Sequence, residues 1–435
     1  MLTVPFLTDI DPQAAVKGSR DPLGLQTIWA RLGRHVVGNL TTVSTSVRDF
    51  TTLLLGYYFA ERVANEVGGD GDLAVFLRWE QLAAYSRGEI NGDWRFRGVE
   101  RVKKNLQGSA RVRLGTDSAV QILSNQKTYG LWGLYTVPAR SSGLVEGDPA
   151  RLTAAGRDLV EKTYLPVFAK GGLRNADAIV SRLAKSKTEL DWRETDRKLM
   201  KTVATVLHKS LGSAEREVYR KHLLLGGPQD KTAGGQAILA SAMESTLNDS
   251  SWKLTPGRVR HLANRCASVG DDGTAAALWL ERIRSAELLL APAAVLFALL
   301  LASDNQTITE VGRTVSRHWG TSLRTISVEA TTSIEAELRD STGEAESGHR
   351  WVQVAHALAV GDFERTLNLL LEQNRVVMKI RAGAAPWVDV INGRLRVRFR
   401  DDDGGELPAR SELHEYWRHS YFLDSLRAIA LSLRA

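Results

Sequence analysis

From Leu288 to Ala302 the chain runs fifteen residues without a charged side chain, broken only by Pro292. A helix needs about 20 apolar residues to cross a bilayer core, so a run of this length predicts a helix wrapped by protein, with no membrane expected. Burying it takes many further helices, and the flanking sequence supplies them. From about 176 to 380, apolar residues recur at helical spacing between breakers at Gly226-Gly227-Pro228, Gly234-Gly235, Pro256-Gly257, Gly270 to Gly273 and Thr342 to Gly348. Thr255 is the predicted cap of the helix that holds Arg258, Val259, Leu262 and Cys266. No period marks a solenoid, although the even spacing of paired helices leaves that architecture open.

Upstream, residues 46–68 place Phe50, Leu53, Leu54, Tyr57, Tyr58 and Ala64 near one helical stripe that Gly68-Gly69 ends. A second helix over 72–87 carries Leu73, Phe76, Leu77 and Ala84, and the stretch GEINGDWRFRG that follows reads as a loop. At the other end, WVDVINGRLRVRFR alternates on both sides of Asn392-Gly393, a strong signal for a two-residue hairpin. That register sets Asp389 opposite Arg396 and Trp387 opposite Arg398, predicting an ion pair and a cation–π contact. Short helices over 409–418 and 421–434 are expected to close the chain.

At 435 residues the chain exceeds what one core supports, so two or three domains are the first estimate. The segment reading is finer: a helical domain over 1–93, a winged-helix-like domain with a preceding basic segment over 94–175, a helical domain over 176–385, and a hairpin with helices over 386–435. The expected fold class is mainly α, multi-helical, with an embedded winged-helix module and a C-terminal β-hairpin. Hydrophobic residues make up 43% and charged residues 25%, which suits packed cores and not a long disordered tail. One cysteine, Cys266, excludes an internal disulfide and a multi-cysteine zinc site. Together with acids where a signal peptide would be basic and apolar, this predicts a cytoplasmic protein.

A winged helix needs a helix to enter the major groove, a two-stranded wing, and a helix that packs back on the core. Residues 117–168 offer these in order. Thr116 and Asp117 are predicted to cap a helix with Val120, Ile122 and Leu123, and Tyr129 to Pro138 supply the next, with Leu131, Leu134 and Val137 inward. Gly143 to Glu146 reads as a strand, Gly147 to Ala150 as a turn, and Arg151 to Thr153 as the return. Thr153 then caps a last helix whose Leu159, Val160, Tyr164 and Val167 face inward. Leu152, Thr153, Gly156 and Arg157 resemble the wing of multiple-antibiotic-resistance-type regulators, with Asp148 in place of that family's basic wing tip. Over a wider span, Asp21, Leu23, Gly24, Leu25, Leu40, Thr41, Thr42 and Arg48, with the closing residues 417–430, are similar to an uncharacterised bacterial family associated with anti-phage defence. That resemblance implies work within a multi-component defence system.

The net charge of +7 tolerates a polyanion without demanding one. Its most concentrated source is Arg95, Arg97, Arg101, Lys103, Lys104, Arg111 and Arg113, with Glu100 the only acid among them and Trp94 and Phe96 interleaved. With Lys127, Arg140, Ser141 and Arg151 these form the candidate nucleic-acid-binding set, able to neutralise phosphates. Arg394, Arg396, Arg398 and Arg400 make a possible second basic stripe. Against this stand two plain alternatives: a winged helix that contacts only protein, and cations that are simply solvated.

Searching for catalysis finds no site. GGPQDKTAGG at 226–235 has the glycines of a phosphate loop and Lys231-Thr232, but Asp230 would repel phosphate. Asp401 to Gly405 with Glu412 imitate a calcium loop, yet Glu406 stands where that loop requires glycine. His414 and His419 fall on different helix faces, His349 and His356 could share one, and Ser250 with Lys253 lacks any oxyanion-forming context. Cys266 reads as an inert core thiol. Asp389 is followed two residues on by Ile391 where a nuclease would place lysine. The expectation is therefore a non-catalytic DNA-binding or scaffold subunit with no cofactor, metal or small-molecule substrate, partnered by double-stranded DNA and other protein subunits. A metal-dependent nuclease with an unrecognised site and a protein-only adaptor are the alternatives.

Overall fold

A computed structural model describes residues 21–66, 71–173, 176–186, 188–323, 325–339, 345–380, 385–399 and 405–434. The expected helix stop at Gly68-Gly69, Arg400 of the second stripe, and Asp401 to Gly404 lie outside the described residues. The fold is mainly α. Contacts divide the chain into two units, one holding the described residues of 21–36 and 251–421, the other those of 37–250 and 422–434. This grouping differs from the expected segments, because the chain leaves the first unit after α1 (Leu25–Arg34) and returns to it only at residue 251.

In the second unit, α2 (Val47–Glu66) and α3 (Asp72–Asn91) pack along each other and are buried over most of their length. Phe50, Phe59, Phe76 and Trp79 fill the space between them, and the Trp79 indole donates to the Thr52 carbonyl at 2.8 Å. Around this pair come α4 (Val99–Gly108), β1 (Arg111–Leu114), α5 (Gln126–Tyr129), α6 (Leu131–Ser141), β2 (Val145–Glu146), β3 (Arg151–Leu152), α7 (Ala154–Leu159), a π turn over Val160–Tyr164, and α8 (Leu165–Lys170). Then follow α9 (Asp177–Leu183), β4 (Thr188–Asp191), α10 (Arg197–Val206), α11 (Ser213–Tyr219), a second π turn over Arg220–Leu224, and α12 (Gly235–Met243).

Of the elements expected over 117–168, α6, the β2–β3 hairpin and the Thr153-capped helix are present, and the first helix is not. β2 and β3 pair antiparallel with Val145 opposite Leu152, and the Thr153 hydroxyl caps α7 by accepting from the Gly156 amide at 3.2 Å. Residues 115–125, however, form turns instead of the expected helix. Side chains have taken the backbone groups a helix would use: the Arg101 guanidinium donates to the carbonyls of Ser118, Gln121 and Leu123, and the Gln126 carboxamide accepts from the Ile122 amide. In α6, Leu131, Tyr135 and Ala139 are buried while Leu134 is half-buried and Val137 is 56% exposed, so the inward face is rotated from the expected one. Val167 is likewise only half-buried, and Phe168 takes the core position. β1 pairs with β4 and not with β2 or β3, which leaves the hairpin two-stranded.

Back in the first unit, Thr255 caps α13 (Pro256–Ala267) as expected, its hydroxyl accepting from the Arg258 amide at 3.2 Å. The apolar run belongs to α14 (Asp271–Ala302), longer than the run itself at 32 residues. One window of α14 reaches a mean hydropathy of 2.1, and 78% of it is buried inside the protein. α1 and α13 pack on α14, as does α18 (Phe363–Ile380), which follows α15 (Ile308–Trp319), α16 (Val328–Thr332) and α17 (Ala345–Val360). The hairpin of β5 (Val388–Ile391) and β6 (Arg394–Val397) has the predicted register, and Asn392 and Gly393 take φ of 52° and 75°, the pair of positive values its two-residue turn requires. Its cross-strand contacts differ from expectation. Asp389 pairs with Arg375 of α18 at 3.2 Å, and Trp387 packs on Phe399 at 4.4 Å between ring centres. Residues 409–418 contain only a single 3₁₀ turn over Arg410–Glu412, and α19 (Leu423–Arg434) completes the second unit.

One carboxylate organises the end of the first unit. Glu287 of α14 is fully buried and accepts from the amides of Arg418 and His419, from His419 Nδ1 at 2.9 Å and from the Tyr421 hydroxyl at 2.8 Å. Burial raises the Tyr421 pKa far above its usual value, so the hydroxyl remains a donor. Removing the carboxylate orphans several buried donors, each worth about 1–3 kcal/mol. Glu287→Leu is therefore expected to lower the unfolding free energy by at least about 3 kcal/mol, read from urea denaturation. A loss below about 1 kcal/mol would mean the 417–421 segment is held by other contacts.

Candidate nucleic-acid interface

The start of α2, the end of α3, the loop 92–98 and the residues after α10 enclose a groove of about 820 Å³. Its floor is cationic but neutralised. Arg87 of α3, with a side chain 3% exposed, bridges Asp49 of α2 at 2.6 Å and Asp93 of the loop at 2.9 Å. Arg48 of α2 forms a buried ion pair with Glu215 and donates to the carbonyls of His208 and Ser210, which fastens the loop after α10 beside the first turn of α2. Behind it, Glu215 also accepts from the Tyr164 hydroxyl, and Tyr164 and Tyr219 lie within hydrogen-bond distance of each other and of Thr51. Burial raises the pKa of both tyrosines, keeping them neutral donors beside Glu215.

The rim is where charge remains available. Arg95 is 80% exposed and touches Asp93 at 3.1 Å, a solvent-screened contact. Arg97 is exposed and donates to the Tyr129 carbonyl at 2.7 Å. Trp94 lies flat over Gly88, where any added Cβ would meet its ring at 2.5 Å, and Lys103 Nζ sits 5.5 Å from that ring. Phe96 is covered by the Arg87 guanidinium at 5.4 Å. Lys104, Arg113 and Lys127 are exposed and carry no ion pair among the described residues. His208 and Lys209, which pattern reading passed over, also line the groove and are exposed. Nothing in their local sequence marks them, since the packing of α10 on α3 and the Arg48 bonds bring them here.

Other members of the sequence-derived set are spent on structure. Arg101 holds the 115–125 turns, and Arg111 pairs with Asp191 at 3.3 Å across the β1–β4 ladder. Arg140 donates to the Gly147 carbonyl at 2.8 Å, Ser141 is half-buried, and Arg151 pairs with Asp72 at 2.6 Å. The second stripe lies in the other unit. There Arg394 and Arg396 are exposed, Arg394 donating to the Asn305 carbonyl at 2.7 Å, while Arg398 donates to the Pro386 carbonyl at 3.2 Å.

Two of the motifs weighed for catalysis have structural surroundings. Asp230 accepts from the amides of Thr232 and Gly234, closing the glycine-rich loop on itself. Burial pushes the Cys266 thiol up to about 11. Among the described residues no three His, Cys, Asp or Glu side chains gather as a metal-binding group. No family model, curated protein or solved structure matches the chain.

Glu80 of α3 positions α6, the helix that would face a groove in a winged helix. Its carboxylate accepts from the Leu131 amide and from the Gln126 carboxamide, both at 2.8 Å. Burial pushes its pKa up to about 7, against hydrogen bonds that pull the other way. The folded protein thus holds this proton more tightly than the unfolded chain, so stability falls as pH rises from about 4.5 to about 7 and stays reduced above. The difference is worth about 3 kcal/mol. Calorimetric melting from about pH 5 to about pH 8 is expected to show a steeper fall for the wild type than for Glu80→Gln, and parallel curves would refute the assignment.

Proposed function

We propose that the protein is a non-catalytic DNA-binding or scaffold subunit of a bacterial multi-component system, with anti-phage defence as the setting, and that its second unit holds the phosphate backbone of duplex DNA. The observation that carries this reading is that exposed Arg95 and Lys209 line the groove, while Arg97 shares a neighbouring recess with Arg95, Lys103 lies 5.5 Å from the Trp94 ring and exposed Lys104 follows it on α4. Exposed cations favour phosphate. The surface of α6 argues against base readout. Its outward residues are Gly133 and Val137, with Arg140 tied to the hairpin turn, so the binding is backbone-directed and insensitive to sequence.

Anisotropy titration of a labelled duplex of about 20 bp between about 50 and about 200 mM salt tests this. Engagement of roughly five phosphates gives a slope of log affinity against log salt of about −4.5. Arg95→Glu, Arg97→Glu and Lys104→Glu are each expected to weaken binding for all sequences alike and to reduce the slope by about 1. Binding without salt dependence, or unchanged by these reversals, refutes the reading.

One observation favours a second reading. Tyr129 and Val137, 51% and 56% exposed on α5 and α6, present apolar surface suited to a partner protein, as in an adaptor that does not touch DNA.

A further inference from the structure

The first unit contains its own cavity, of about 300 Å³, at the lower end of the size range for small-molecule pockets. Trp29 of α1, Phe297, Ala298 and Leu301 of α14, and Trp387 form its apolar lining. The walls are flat and braced: Trp29 stacks on His419 at 6.1 Å with ring planes 23° apart, and Trp387 rests on Phe399.

Its polar groups are biased toward donors. The one carboxylate in the lining, Asp21, is engaged in accepting from the amides of Leu25 and Gln26 at 2.8 and 2.9 Å. Glu287 behind the wall is saturated by its donors, which also assigns the proton of His419 to Nδ1. Arg418 lines the cavity, is exposed, and its guanidinium has no partner among the described residues. Trp387 is 8% exposed, and its indole N–H is sealed from solvent with no acceptor among the described residues, so the ring offers the cavity an apolar face.

We propose that this cavity binds a small planar aromatic carboxylate, its ring against Trp29 and Phe297 and its carboxylate held by Arg418. The site is separate from the phosphate groove and does not depend on DNA binding.

Isothermal titration of the full chain with 1-naphthoate tests it, with the neutral 1-naphthamide as control. One-to-one saturable binding of the acid is expected, at least about tenfold tighter than the amide. Arg418→Ala is expected to weaken it about tenfold. Ala298→Trp fills the cavity and abolishes binding; its melting temperature, matched to the wild type, shows that the fold is intact. Absence of saturable binding to the wild type overturns the proposal. So does binding that survives Ala298→Trp, or equal affinity for acid and amide.

Discussion

Two buried guanidinium groups hold the α2–α3 pair of the second unit to its surrounding loops. Arg48 and Arg87 project from neighbouring helices, and each is neutralised inside the protein, Arg48 by Glu215 and Arg87 by Asp49 and Asp93. Taking such charges out of water is expensive, and the pairs repay it only with well-placed hydrogen bonds to the remaining donors. Arg48 obtains them from the carbonyls of His208 and Ser210, and Arg87 from that of Arg95. The result is positional: the loop that carries Arg95 and the loop that carries Lys209 are both tied to the α2–α3 pair. Because the interior cations are already satisfied, the charge open to a ligand resides on the rim.

The same economy explains why the basic cluster divides. A cation contributes most to polyanion binding when its side chain stays exposed; Arg101, Arg140 and Arg151 are half-buried and bonded to a carbonyl or carboxylate of the fold, whereas Arg95 and Arg97 keep exposed side chains beside their contacts with Asp93 and the Tyr129 carbonyl. Arg101 shows the consequence for local structure as well. By collecting carbonyls from residues 118–123 it removes the incentive for that segment to coil into a helix, and the winged-helix order is lost at its first step. Two π turns, over Val160–Tyr164 and Arg220–Leu224, flank the cluster of Tyr164, Tyr219 and Glu215. Such wide turns interrupt the regular ladder, and here they coincide with buried polar side chains that need particular directions.

In the first unit, a fully buried carboxylate does for the chain end what the arginines do elsewhere. Glu287 stands one residue before the apolar run that dominates α14 and gathers donors from a segment more than 130 residues later. It is invisible to hydropathy reading, which sees an acid at the edge of an apolar stretch and assigns it to solvent.

Much of the fold was legible because its signals are local. The Asn392-Gly393 turn, the Thr153 and Thr255 caps, the α2 and α3 helices and the buried run in α14 each follow from neighbouring residues and a periodicity of 2 or about 3.6. Charge commitment is not local. Arg48 meets Glu215 across 167 residues, and Asp389 prefers Arg375 on a packed helix to Arg396 directly opposite on the hairpin. The amino-acid sequence by itself therefore determined a mainly helical protein with its caps and hairpin. Only tertiary packing decided which cations stay free, that Lys209 joins Arg95, and where Glu80 and Glu287 are buried, because these depend on distances between segments that no local pattern encodes.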